Sequence, residues 1–246
     1  MSSPDNHPQK SRADLIALVV AIVLPSLITW AYFFKAESAE AGVQQAVFAV
    51  AKVFQFALPA VWVFLIQRKR FEWFARSKAG LGIGLAFGVV VAVAGLALFH
   101  FVLRDAPFFA PAAEQIRAKV AGMGMNTPLK YVCLGLFYTV FHSLLEEYYW
   151  RWFVFQKLKN WVSVNSAIVI SSLGFMAHHV LVLGKFFGFA HWATWVFSLA
   201  VATGGLAWAW LYQRSDSLLG PWLSHAVVDA GIFLIGYQLV ANLLVG

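Results

Sequence analysis

The chain reads as an all-α, polytopic transmembrane helical bundle of about seven spans, with eight as the other count. Three observations predict this. The 246 residues are 61% hydrophobic and only 12% charged, a composition foreign to soluble domains of this length. Several apolar runs reach the roughly 20 residues a helix needs to cross a bilayer. Many Trp and Tyr residues fall near the ends of those runs, where amphipathic rings settle at headgroup level.

A formal net charge of +7 would suit a nucleic-acid partner if it lay on one soluble face. Here the positive residues fall in short connections between apolar runs, so membrane orientation accounts for them and no nucleic-acid partner is expected. Cys133, the single cysteine, excludes an internal disulfide and any Cys-rich zinc motif.

Residues 1–12 are polar and rich in Ser and Pro, as expected of a disordered tail. The first span, 15–34, is long enough to be an uncleaved anchor despite a small-x-small pattern at Ala39-Glu40-Ala41. The second, 46–66, contains Pro59 and, near one end, Lys52, which is expected to snorkel to the interface. Arg68-Lys69-Arg70, Arg76 and Lys78 form the densest positive cluster, which places the connection that contains it, and with it the amino terminus, in the cytoplasm. The third span, 79–103, carries Gly80, Gly82, Gly84 and Gly88, small residues that let helices approach closely.

Residues 104–128 form the longest non-membrane segment, with a short amphipathic helix expected at 112–120. A fourth span, 129–158, ends at a second positive turn of Lys157, Lys159 and Asn160. The fifth, sixth and seventh cover 165–183, 192–212 and 218–244. The chain thus divides into a tail (1–12), three spans acting as scaffold or gate (13–128) and a core (129–246) that holds every polar group of interest. The expected location is a prokaryotic inner (plasma) membrane, crossed several times, with membrane lipid as a partner and the oligomeric state left open.

That core contains Glu146-Glu147-Tyr148-Tyr149-Trp150-Arg151. Ionisable groups at membrane depth are costly and mark a function by default. Residues four apart share a helix face, so Glu147 can pair with Arg151 while Glu146, rotated by roughly 100°, points elsewhere. A purely structural reading of both carboxylates remains beside the functional one. His142 precedes Glu146 by four residues and could touch it, and His225 and Asp229 repeat that spacing. Of the adjacent pair His178 and His179, at most one is expected to face Glu146. At about 1.5 Å per residue, Glu146 and His179 both lie roughly 21 Å up their helices and His225 roughly 12 Å up its own. One buried polar cavity can therefore hold them.

These residues resemble the motifs of the CAAX-protease and bacteriocin-processing family of intramembrane endopeptidases, which includes the Ras-converting endopeptidase. Two glutamates, three residues and an arginine match Glu146, Glu147 and Arg151; Phe followed four residues later by His matches Phe175 and His179; His followed four residues later by Asn or Asp matches His225 and Asp229. The resemblance covers about 129–244. It implies a metal-free glutamic endopeptidase acting on a membrane-associated protein or peptide. Glu146 would activate water with help from His179, and His225 and Asp229 would serve the oxyanion. Asp229 departs from the commoner Asn, and a carboxylate donates no hydrogen bond unless protonated, so it is expected to orient His225.

Peptide hydrolysis needs these parts in any case: a base for water, donors for the oxyanion and an acid for the leaving amine. The nearest rival is a zinc metalloprotease using Glu146, His179 and His225, with His142 as a further ligand. No His-Glu-x-x-His helix is present. A proton-coupled transporter and a non-enzymatic immunity protein are the rivals from other classes.

Overall fold

The computed structural model describes residues 11–36, 40–68 and 78–244. The tail, the Ala39 position of the small-x-small pattern and most of the basic cluster lie outside the described residues. Eight helices carry the site and its connections: α1 (Arg12–Lys35), α2 (Gly42–Ile66), α3 (Leu81–Leu103), α4 (Ala110–Gly122), α5 (Pro128–Leu158), α6 (Val164–Phe187), α7 (Trp192–Ser215) and α8 (Leu219–Leu243). All except α4 are long and apolar enough to cross a membrane, and no strand occurs among the described residues.

Local chemistry sets the helix ends. Ser11, Thr127 and Ser163 each cap a helix by accepting a hydrogen bond from the backbone N–H three residues on, which satisfies one of the donors a helix start leaves orphaned. Asp216 adopts a left-handed conformation (φ 49°) that stops α7 and lets α8 begin after a short turn. The first turns of α8 are sunk in the protein, with Leu218, Gly220, Pro221 and Ser224 all buried.

Polar clasps tie both ends of the bundle together. At the end where α1 begins, Asp14 Oδ1 accepts from Trp62 Nε1 (2.9 Å), Gln67 Nε2 (2.6 Å) and Lys157 Nζ (2.9 Å), while Oδ2 accepts from Ser11 Oγ (2.9 Å). One carboxylate thus joins the start of α1 to the ends of α2 and α5. At the opposite end, Lys119 of α4 donates to Gln44 Oε1 (3.1 Å), and Gln44 donates to the Tyr32 carbonyl (2.8 Å).

The glycines of α3 divide by face. A Cβ at Gly84 would be driven into the carbonyl oxygen of Gly220, and one at Gly88 would stand 2.7 Å from the Ser224 carbonyl oxygen, whereas Gly82 faces open space. Gly84 and Gly88 therefore let α3 lie backbone to backbone against α8, the close approach typical of membrane helices, and Gly82 does not contribute to it. Because Ser224 precedes His225, this contact also sets the position of that imidazole. Gly84→Val is expected to lower stability by about 3 kcal/mol through overpacking, read as a fall in the thermal unfolding midpoint in detergent. Gly82→Ala should leave the midpoint unchanged or slightly raised, because alanine is the better helix former.

Candidate active site

The site lies where α5, α6 and α8 converge, with α2 and α7 closing it. Its core is the sequence pair Glu146-Glu147, whose side chains are 6% and 0% exposed. Residues Tyr148–Phe155, which follow the pair, form a π-helical stretch, a wider turn often found at functional sites.

Glu147 is held from two sides. Arg151 Nε lies 3.1 Å from its Oε2, as the four-residue spacing predicts, and His225 Nδ1 lies 2.8 Å from its Oε1. A carboxylate can only accept, so His225 donates from Nδ1, and its Nε2 is turned towards Glu146 Oε2 and Asp229 Oδ1, each 3.7 Å away. The carboxylate that holds His225 at hydrogen-bond distance is therefore Glu147, while Asp229 Oδ1 faces the other ring nitrogen at 3.7 Å. The imidazole is also stacked on Trp208 (centroids 4.1 Å apart, planes 15°), whose indole N–H donates to Ser224 Oγ at 2.9 Å. Arg151 lies over the rings of Phe175 (5.0 Å) and Trp208 (5.2 Å) and donates to the Gly205 carbonyl at 3.4 Å. Phe175 is thus the floor under the guanidinium, which explains a phenylalanine at that position.

Glu146 points the other way, as the roughly 100° offset of adjacent residues requires. Its carboxylate lies 3.6 Å from His178 Nε2, 3.7 Å from His225 Nε2 and 3.9 Å from His142 Nε2. Of His178 and His179, at most one was expected to face Glu146, and the one that does is His178 rather than the His179 named as its partner. His178 is the one within 4 Å of Glu146, yet the His179 ring lies only 4.2 Å from that of His178, so both border the same region. His179 bonds through Nδ1 to the Phe175 carbonyl at 3.0 Å, which leaves Nε2 with a lone pair when the ring is neutral. The signal for His178 was the His-His doublet itself: two residues 100° apart can flank a cavity wider than one side chain.

The depth count placed His225 below Glu146, whereas the structure brings them together. Two features close the gap: the buried start of α8 raises His225, and the π-helical turns of α5 advance less per residue and lower Glu146.

Lys52 also departs from expectation. Helix α2 begins earlier than the hydropathy suggests, at Gly42, so Lys52 lies near its middle rather than its end. Its ammonium lies over Phe48 (5.5 Å) and Phe56 (5.6 Å). Phe56 in turn packs edge-on against His142 at 5.8 Å.

Could a metal be held here? Among the described residues no group of three or more His, Cys, Asp or Glu side chains stands in metal-holding geometry. Of the trio Glu146, His179 and His225, His179 has no nitrogen within 4 Å of either Glu146 oxygen, and its Nδ1 is engaged by Phe175.

Residues 128–231 match the model of the family described as type II CAAX prenyl endopeptidase Rce1-like. Over this segment, less than half of the 246 residues, the chain is similar to that CAAX-protease family. The segment takes in α5, α6, α7 and the first half of α8, and with them Glu146, Glu147, Arg151, Phe175, His179, His225 and Asp229. Lys52 and Asp14 lie on helices that precede the matched segment. No curated protein and no solved structure matches the chain.

Proposed function

We propose that the protein is a glutamic intramembrane endopeptidase that hydrolyses a peptide bond of a membrane-associated protein or peptide, of the prenylated CAAX type that the family's name describes. The observation that carries this reading is Glu146, buried and ringed by three imidazole nitrogens at 3.6–3.9 Å. Groups at that spacing are too far apart to hydrogen-bond one another well, but one oxygen about 2.8 Å from each can be shared between two of them. A substrate water so held has a base in Glu146 and proton partners in His178 and His142.

In this reading Glu146 takes a proton from water as its oxygen attacks the scissile carbonyl carbon. His225, held by Glu147, donates from Nε2 to the developing oxyanion in its imidazolium form. The C–N bond breaks, and the leaving amine receives a proton through His178 or His179. Glu147 and Arg151 are positioning residues, since they reach the reaction only through His225 and the helix. The amino terminus is cytoplasmic in this proposal, on the strength of Arg68, Lys69, Arg70, Arg76 and Lys78 in one short connection.

The test is cleavage of a fluorogenic prenyl-cysteine peptide by the purified protein in liposomes, before and after treatment with a strong zinc chelator, together with metal analysis. Cleavage that survives the chelator is the expected result. Stoichiometric zinc whose removal stops cleavage and whose return restores it would replace the glutamic mechanism with a metallo one. A protein that cleaves no peptide under any condition, yet moves protons, would favour the transporter.

A further inference from the structure

Lys52 is the only charged residue of α2, and it sits near the middle of a helix long enough to cross the membrane. At about 1.5 Å per residue it stands roughly 15 Å from the nearer end of that helix, farther than a lysine stem extends, so snorkelling relieves the charge only in part. Its half-buried side chain lays the ammonium over Phe48 and Phe56 at 5.5 and 5.6 Å. Among the described residues no carboxylate reaches ion-pairing distance of it. Phe56 is also packed edge-on against His142 and Tyr149, at 5.8 and 6.1 Å, and His142 is 3.9 Å from Glu146. The cation therefore shares a wall with the reacting region, one aromatic ring away from the histidine that faces the proposed base.

Aromatic faces offset only part of the cost of a cation at this depth. An anion should complete the site, and the question is which molecule brings it. Lipid phosphates stay in the headgroup layer, away from the middle of α2. A peptide reaching Glu146 offers neutral amides, occasional acidic side chains and, at its end, an α-carboxylate that every unmodified chain possesses.

We propose that Lys52 receives the free C-terminal α-carboxylate of the substrate, so that the site selects bonds lying a few residues from a chain end. This rests on the endopeptidase reading for its consequence, but the binding step can be measured without cleavage. A charge-assisted hydrogen bond in a low-dielectric site is the strong kind, so removing the carboxylate charge should weaken binding about tenfold or more.

The probe is a fluorescent prenyl-cysteine peptide with three apolar residues after the cysteine, made as the free acid, as the C-terminal amide and as an amide whose last residue is Asp. Binding to the Glu146→Gln protein is measured in phosphatidylcholine nanodiscs, with Lys52 intact and with Lys52→Met or Lys52→Arg added. The acid should bind about tenfold or more tighter than both amides when Lys52 or Arg is present, and equally with them in Lys52→Met. Equal binding of acid and amide with Lys52 intact overturns the proposal, and this comparison needs no variant at Lys52. A preference that survives Lys52→Met overturns it as well, and an Asp amide that binds as tightly as the acid replaces the terminal carboxylate with a side-chain anion. Failure of the protease reading looks different: a Lys52-dependent acid preference in binding, with no cleavage of any peptide by the unmutated chain.

Discussion

Glu146→Gln is expected to reduce peptide hydrolysis by about 1,000-fold or more, the scale on which a positioned general base contributes, while the protein stays folded and inserted. The amide keeps the shape of the carboxylate and can still contact the three imidazoles at 3.6–3.9 Å. What it loses is basicity. The measurement is the single-turnover rate in liposomes beside the thermal unfolding midpoint of the same preparation. A variant that retains full activity would end the assignment of Glu146 as the base. One that loses activity only because it unfolds would show the structural reading of the pair to be correct. His178→Ala and His179→Ala, assayed alongside, apportion the proton transfers: the ring 3.6 Å from Glu146 should cost more in the water-attack step than the ring tied to Phe175.

Glu147→Gln should cost both stability and activity. It leaves Arg151 buried at 2% exposure without its ion-pair partner, and breaking a buried pair from one side costs about 3–5 kcal/mol. It also removes the carboxylate that accepts from His225 Nδ1 at 2.8 Å, so the ring loses the charged partner that fixes its orientation. Loss of an orienting carboxylate lowers kcat by up to about 10,000-fold in serine proteases, and a fall of about 100-fold or more is expected here. The double variant Glu147→Gln with Arg151→Met separates the two effects, because removing both charges avoids the orphaned guanidinium. Its unfolding midpoint should recover much of the loss, and its activity should not. Recovery of both would show that Glu147 acts only as the partner of Arg151 and that His225 needs no carboxylate on Nδ1.

The expected spans and the observed helices differ mostly by a few residues. Span 46–66 is observed as Gly42–Ile66 and 129–158 as Pro128–Leu158, while 165–183 extends four residues further, to Phe187. Apolar length and the polar breaks between runs are properties of consecutive residues, so they are legible in the chain itself. The same holds for pairs on one helix: Glu147 with Arg151 and His142 with Glu146 follow from a four-residue spacing.

Contacts between helices were not legible in that way. Which carboxylate holds His225 depends on how far α8 is sunk beside α5. That depth is set by Gly84 and Gly88 meeting the backbone at Gly220 and Ser224. Whether one histidine of the doublet or both border the site depends on the width of the space between α5 and α6. The burial of Lys52 depends on where α2 starts, a boundary that hydropathy blurs because Ala and Gly at the helix end are weakly apolar.

By itself, then, the sequence determined a helical membrane protein, the order of its spans and the ionisable residues that membrane burial would make costly. Only the tertiary structure decided that Glu147 serves His225 as well as Arg151, that His178 joins Glu146 and that Lys52 looks towards them. The physical reason is that periodicity fixes directions around one helix axis, while the depth and rotation of one helix against another come from side chains and backbones fitting at their interface.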